Sequence, residues 1–194
     1  MKHDDFELKV VIEEREGKIG DYWDEVEDSS NGETYHELNC EVIINGSTVK
    51  HYTDIFAFFE SVLTNGDCQP CYADKEQRGK YSRFYPFTCS CGIAGCASIW
   101  EGIFTKHRKY SVEWRIKDKE QNGYDFIPKA FYSFDKLDYL AQIKNAWDII
   151  VNALESHRAL PENKQGFNSQ TIRQIEWVKD YPTFKQSILN GGVN

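Results

Sequence analysis

The sequence predicts an α+β fold: an antiparallel β-sheet with one short helix, C-terminal helices packed on one face, and a cysteine-rich turn. Three observations carry this expectation. Apolar and polar residues alternate in several stretches of the first 134 residues, the period of half-buried strands. From residue 135 onward apolar residues recur at helical spacing. Five of the six cysteines lie between positions 68 and 96, within the β-rich part. The 194 residues form a single α+β domain, with 1–134 mainly β and 135–194 helical, which is long enough to bury a sizeable core.

Phe6, Leu8, Val10 and Ile12 alternate with Glu7, Lys9 and Val11, which predicts a strand with one buried face. Residues 13–33 then hold nine acids against Arg15 and Lys18, so nearly all of the net charge of −8 is concentrated there. Tyr22 and Trp23 are embedded in that run. It is expected to be a solvated loop or edge hairpin, or an acidic docking surface with aromatic anchors for a basic partner. His36, Leu38, Cys40, Val42 and Ile44 alternate along a second long strand. Asn45-Gly46 makes a two-residue hairpin turn in which both residues need positive φ. The return strand, Ser47–Thr53, would then set Val42 opposite Val49 and Cys40 opposite His51. A thiol facing an imidazole is a catalytic pair or a small core cysteine beside a satisfied histidine.

Asp54 is placed to cap a short helix whose apolar stripe is Ile55, Phe58, Phe59, Val62 and Leu63. Asn65-Gly66 stops that helix and delivers the chain to Cys68-Gln69-Pro70-Cys71. Arg83–Thr88 is aromatic and extended, and leads into Cys89-Ser90-Cys91-Gly92-Ile93-Ala94-Gly95-Cys96. Residues 98–105 and 110–117 predict a hairpin around the basic turn Lys106-His107-Arg108-Lys109, with Val112, Trp114 and Ile116 on one face. Residues 124–134 are expected to be extended, with Pro128 favouring an edge. Ser133 or Asp135 caps a long helix to about Ser156, its stripe formed by Leu137, Leu140, Ala141, Ile143, Trp147, Ile150, Val151 and Leu154. A further helix from Ser169 carries Ile172, Ile175 and Val178, and another begins at Thr183.

Chemistry is densest at the cysteines. A structural zinc site takes four Cys or His ligands in a tetrahedron. Candidate ligands are Cys68, Cys71, Cys89, Cys91 and Cys96, one more than a single zinc needs. The favoured set is Cys89, Cys91 and Cys96 with either Cys68 or Cys71; the other is Cys68, Cys71, Cys89 and Cys91. Gly92 and Gly95 are expected to let the backbone wrap the ion in conformations closed to residues with a Cβ. Rival readings are plain or disulfide-linked thiols, a redox C-x-x-C pair at Cys68 and Cys71, and an iron–sulfur cluster, although the spacing fits neither common ferredoxin run. Four thiolates fill a zinc shell and leave no position for a catalytic water, so zinc here implies structure.

Other expectations follow from exclusion. An acidic chain of pI near 5.2 disfavours nonspecific binding to nucleic acid. No window approaches the roughly 18 apolar residues of a membrane span. Met1-Lys2-His3-Asp4-Asp5 opens no secretion signal, so a reducing cytoplasm is expected. Catalytic motifs for phosphate loops, dinucleotides, nucleophile elbows and zinc proteases do not occur in the sequence. The five histidines (His3, His36, His51, His107, His157) are scattered and read as surface or satisfied side chains.

The run Phe87–Ile99, with Val112-Glu113-Trp114 after it, resembles small bacterial proteins that carry a C-x-C-G-x-x-G-C motif and have no established function. The likeness spans residues 85 to 150. It implies a bacterial or phage-type cytosolic protein and brings no activity with it. The expected function is therefore a non-enzymatic interaction module of immunity or inhibitor type, whose partner is another, basic protein, braced by a structural zinc–cysteine site. The alternative is a thiol-dependent enzyme (Cys40 with His51, or Cys68 with Cys71) or a metal-dependent one.

Overall fold

The computed structural model describes residues 2–16, 18–19, 26–27, 34–63, 82–89 and 94–158. Strand β1 (Phe6–Glu16) and strand β4 (Thr34–Ile44) form an antiparallel ladder in register from Phe6↔Ile44 to Glu16↔Thr34. Short strands β2 (Lys18–Ile19) and β3 (Val26–Glu27) pair with each other beyond it. At the base of the ladder the pairs Phe6↔Ile44 and Leu8↔Val42 are buried. Val10↔Cys40 and Ile12↔Leu38 are half-buried, and the next pair on the same face, Glu14↔His36, is polar. The apolar pattern thus stops before the strands do, and the hairpin continues past the core that stabilises its base.

Asn45 and Gly46 have φ of 51° and 76°, as the two-residue turn demands, and β5 (Ser47–Thr48) returns in the expected register. The return strand is shorter than expected. After Val49 N–H donates to the Val42 carbonyl, His51 N–H donates back to Val49 and the chain turns away. Strand β6 (Tyr52–Thr53) then pairs with β8 (Phe87–Thr88).

Helix α1 (Ile55–Leu63) begins where Asp54 Oδ1 accepts from Phe56 N–H at 3.0 Å. Ile55, Phe58, Phe59 and Val62 are buried as their spacing requires. Strands β7 (Ser82–Phe84), β9 (Ile103–His107), β10 (Ser111–Arg115) and β11 (Phe131–Asp135) form an antiparallel sheet in the order β11-β10-β9-β7. A parallel bridge, Asp4↔Phe134, ties this sheet to the start of β1. Among the described residues the β structure is therefore a three-stranded sheet (β1-β4-β5), a four-stranded sheet and two short pairs, not one sheet. The expected antiparallel β-rich half holds, but its division follows from strands that break at turns.

Residues 124–130 are not extended. They belong to a loop closed by Tyr124 N–H to the Lys119 carbonyl, Ile127 N–H to the Tyr124 carbonyl, and Lys119 Nζ to the Ile127 carbonyl at 2.7 Å. The loop buries Tyr124 and Ile127. Gly123 makes this possible: its φ is +77°, and a Cβ there would lie 2.2 Å from the Ser98 carbonyl oxygen.

Helix α2 (Lys136–Arg158) is capped by Asp135, whose Oδ1 accepts from Leu137 N–H at 2.9 Å and Asp138 N–H at 3.1 Å. Tyr139, Leu140, Ile143, Ala146 and Ile150 are its buried stripe. Leu137, expected inside, is 71% exposed, and Ala141 is exposed too. Tyr139 takes the core position instead, its ring centroid 4.5 Å from that of Phe6. The helices expected from Ser169 and Thr183 lie outside the described residues.

The core centres on Trp114. Its indole meets Phe6 from β1, Phe58 from α1, Phe84 from β7, Phe134 from β11 and Tyr139 from α2, at centroid distances of 5.0–6.1 Å. Tilted and edge-on packing of this kind is how aromatic quadrupoles attract.

Candidate functional site

Strand β8 runs into Cys89, which is half-buried and disulfide-bonded. In this oxidation state its sulfur is not a thiolate. A 3₁₀ turn, Gly95–Ala97, carries Cys96, which is exposed and free. Ala97 N–H and Ile99 N–H both donate to the Ala94 carbonyl, which folds the segment back on itself. Gly95 needs no special conformation: it has no positive φ, and a Cβ there would meet nothing within 4 Å. The left-handed residue is Ser98, with φ of 60° at the end of the turn. Cys68, Cys71, Cys91 and Gly92 lie outside the described residues. Among the described residues no three His, Cys, Asp or Glu side chains gather as a metal site.

The ladder register that would set Cys40 opposite His51 is not formed. The ladder that would set them face to face ends at Val49. The His51 ring stacks on Phe126 at 4.3 Å, with Nδ1 3.4 Å from the Tyr52 carbonyl oxygen. The Cys40 thiol is pushed well above its ordinary range, first by burial and then by the negative charge of Asp54. A nucleophilic cysteine needs the opposite shift.

The acid-rich stretch is visible in part. Glu13 stands opposite Glu37 in the ladder, and Glu14 opposite His36. Glu14 is exposed and Glu13 half-buried. Lys18 pairs with Glu27 in the short ladder beyond. Tyr22 and Trp23 lie outside the described residues.

In the basic turn after β9 one cation is paired with a carboxylate. Arg108 reaches Glu113 through Nε at 3.1 Å and Nη2 at 3.2 Å, a bidentate pair, and Lys109 lies over the Tyr110 ring.

Two buried polar groupings were not singled out from the sequence. The first is His107, whose Nε2 is buried with no hydrogen-bond partner among the described residues. Its pKa is lowered to about 4, chiefly by burial and then by the nearby Lys136 ammonium. Lys136 is itself buried, and burial holds its ammonium below the ordinary lysine value. The sequence signal was position: His107 follows Ile103 and Thr105 at the two-residue period of an inward face. The second grouping is the pair Arg83 and Glu101. Arg83 Nη2 lies 3.6 Å from Glu101 Oε1, and the guanidinium sits 4.7 Å from the Phe104 ring centroid. Nothing in the local pattern brings these two segments together.

No helix among the described residues is long and apolar enough to cross a membrane. No protein-family model matches this chain, and no curated protein and no solved structure matches it.

Proposed function

We propose that this protein is a non-enzymatic, cytoplasmic interaction module of the immunity or inhibitor type, which binds a basic protein partner through its acid-rich hairpin. The observation that carries the reading is the upper part of the β1–β4 ladder. There the apolar pattern has ended, Glu13 stands opposite Glu37, and Glu14 and Glu16 follow on the same strand. The field of a chain of net charge −8, concentrated along this stretch, draws a basic partner in. The Cys40 thiol, pushed well above its ordinary range, supports this reading over a thiol enzyme at that position.

The cysteine turn braces the platform. In the reduced protein we propose a structural zinc held by Cys89, Cys91 and Cys96 with Cys68 or Cys71. A thiolate–zinc bond and a disulfide at Cys89 exclude each other, so metal content follows redox state. Elemental analysis with thiol titration on reduced protein tests this: one tightly held zinc with four shielded thiols supports it, and a metal-free reduced protein rejects it.

For the hairpin, affinity capture compares the wild type with a variant in which Glu13, Glu14 and Glu16 are all changed to Gln. The wild type should retain a basic protein at low salt and release it at high salt, and the variant should not retain it. Equal retention by both rejects the acidic surface.

A further inference from the structure

His107 sits where β9, β10 and α2 meet. In the sheet it lies opposite Val112, and Val112 lies opposite Phe134, so the three form one row across β9, β10 and β11. Residues directly opposite one another in a sheet share a face. Val112 and Phe134 are buried, which makes this the inner face. Helix α2 lies over it. Tyr139 stacks on Phe134 with centroids 5.7 Å apart and meets the His107 ring edge-on at 6.3 Å. Lys136, three residues before Tyr139, falls on the same side of the helix and is only 8% exposed. Its backbone N–H donates to the Tyr110 carbonyl at 3.1 Å and ties the start of α2 to the turn that follows His107.

The surroundings of the imidazole suit its neutral form. Nε2 is buried and has no hydrogen-bond partner among the described residues. From α2 it faces the Tyr139 ring and, one turn earlier, Lys136 at the positive end of the helix dipole. From β10 it faces Val112. The nearest carboxylate on that strand, Glu113, alternates to the opposite face, where it stands across from Lys106 and binds Arg108. Lys106 and Arg108 are also the chain neighbours of His107. Asp135 accepts from the Leu137 and Asp138 N–H groups of the helix cap. A proton on His107 therefore adds a cation beside cations, at an atom closed to water and without an acceptor. The lowered pKa of the imidazole, about 4 against an ordinary 6.5, agrees with this geometry.

We propose that the junction of β9 with α2 is an acid-released latch. With the imidazole neutral the junction is closed. When His107 takes up a proton, the ring leaves for water with the 108–110 turn, the Tyr110–Lys136 hydrogen bond opens, and Lys136–Asp138 lift from the sheet. Tyr139 stays, held by Phe6, Phe134 and Trp114. The opening is confined because Arg108, Lys109, Tyr110, Leu137 and Asp138 are already exposed, so little further apolar surface is uncovered. The latch stands apart from the acidic hairpin and does not rest on that reading.

Amide hydrogen exchange on the full chain tests the latch at two positions: Lys136 N–H, which reports the junction, and Trp114 N–H in the middle of β10, which reports the core. Between pH 7 and pH 4.5 the protection of Lys136 N–H should fall roughly 50-fold more in the wild type than in His107→Gln, the linkage expected of one proton bound at about 6.5 when open and about 4 when closed. At pH 4.5 Trp114 N–H should remain the better protected of the two in the wild type. Lys136→Met keeps the imidazole and removes the like charge, so its fall should be smaller than that of the wild type; it supplies the comparison if His107→Gln does not fold. Equal falls in the wild type and the variants, or equal protection of the two amides at pH 4.5, overturns the proposal.

Discussion

Burial rather than residue type decides the chemistry of the titratable side chains. His107 looks from the sequence like one residue of a basic turn, yet its imidazole pKa is lowered to about 4 by burial and by Lys136. The unfolded histidine titrates near 6.5, so between about pH 6.5 and 4 the unfolded chain binds the extra proton. Stability is complete above that window and falls as pH drops through it. The wild type should lose about 2–3 kcal/mol more than His107→Gln between pH 7 and pH 4.5, read by urea unfolding at each pH. Equal losses in both proteins would show that His107 is not the titrating group. Cys40 makes the complementary case, with its thiol pushed up and Cys96 exposed and free. Under native, non-reducing conditions Cys96 should react with a thiol reagent quickly, and Cys40 only on unfolding. Rapid native labelling of Cys40, located by mass spectrometry, would contradict its placement.

At the scale of elements, turns and caps were the most legible features. Asn45-Gly46, Asp54 and Asp135 all do what their local chemistry demands, because each depends on neighbours within a few residues. Asp54→Ala and Asp135→Ala should each cost about 1 kcal/mol in denaturant unfolding. The two hairpin and loop glycines differ in an instructive way. Gly46→Ala meets only a strained φ and should cost about 1–2 kcal/mol. Gly123→Ala meets the same φ and also the Ser98 carbonyl oxygen at 2.2 Å, so it should cost clearly more; a smaller loss than at Gly46 would refute the packing of these two loops. Strand lengths and sheet membership were less legible. Alternation runs on through Ser47–Thr53, but the ladder ends because His51 turns back onto Val49 and stacks on Phe126, which lies far away in sequence. On α2 the periodicity admits either Leu137 or Tyr139 facing inward. The choice falls to Tyr139 because Phe6, more than a hundred residues earlier, offers it a ring.

At the scale of the molecule, Trp114 joins β1, α1, β7, β11 and α2 through one indole. Removing such a side chain costs about 3–5 kcal/mol, a large share of the roughly 5–15 kcal/mol that holds a domain together. Trp114→Ala should therefore leave the protein largely unfolded at 37 °C, as near-ultraviolet circular dichroism would report. A native-like spectrum would mean the core is organised elsewhere. A second long-range tie is Asp4, which bonds Lys129 Nζ at 2.6 Å, Asn45 Nδ2 at 2.9 Å and the Ser133 N–H at 3.2 Å. Burial works to raise this carboxyl, but the three hydrogen bonds outweigh it and hold its pKa below the ordinary value.

By itself the sequence determined the α+β class, the period of each major element, the hairpin turn and the two helix caps. These rest on alternation, helical spacing and side-chain-to-backbone bonds that act within a few residues. It also located the acid-rich hairpin and the cysteine run, because charge and thiols are visible wherever they fold. Only the tertiary structure decided which strands share a sheet, that the β4–β5 ladder stops short of Cys40 and His51, and that the His107 Nε2 atom is buried. It alone set Arg83 beside Glu101. The reason is common to all of these: each depends on which distant segment packs alongside, and burial and pairing are set by that packing rather than by the residues next in line.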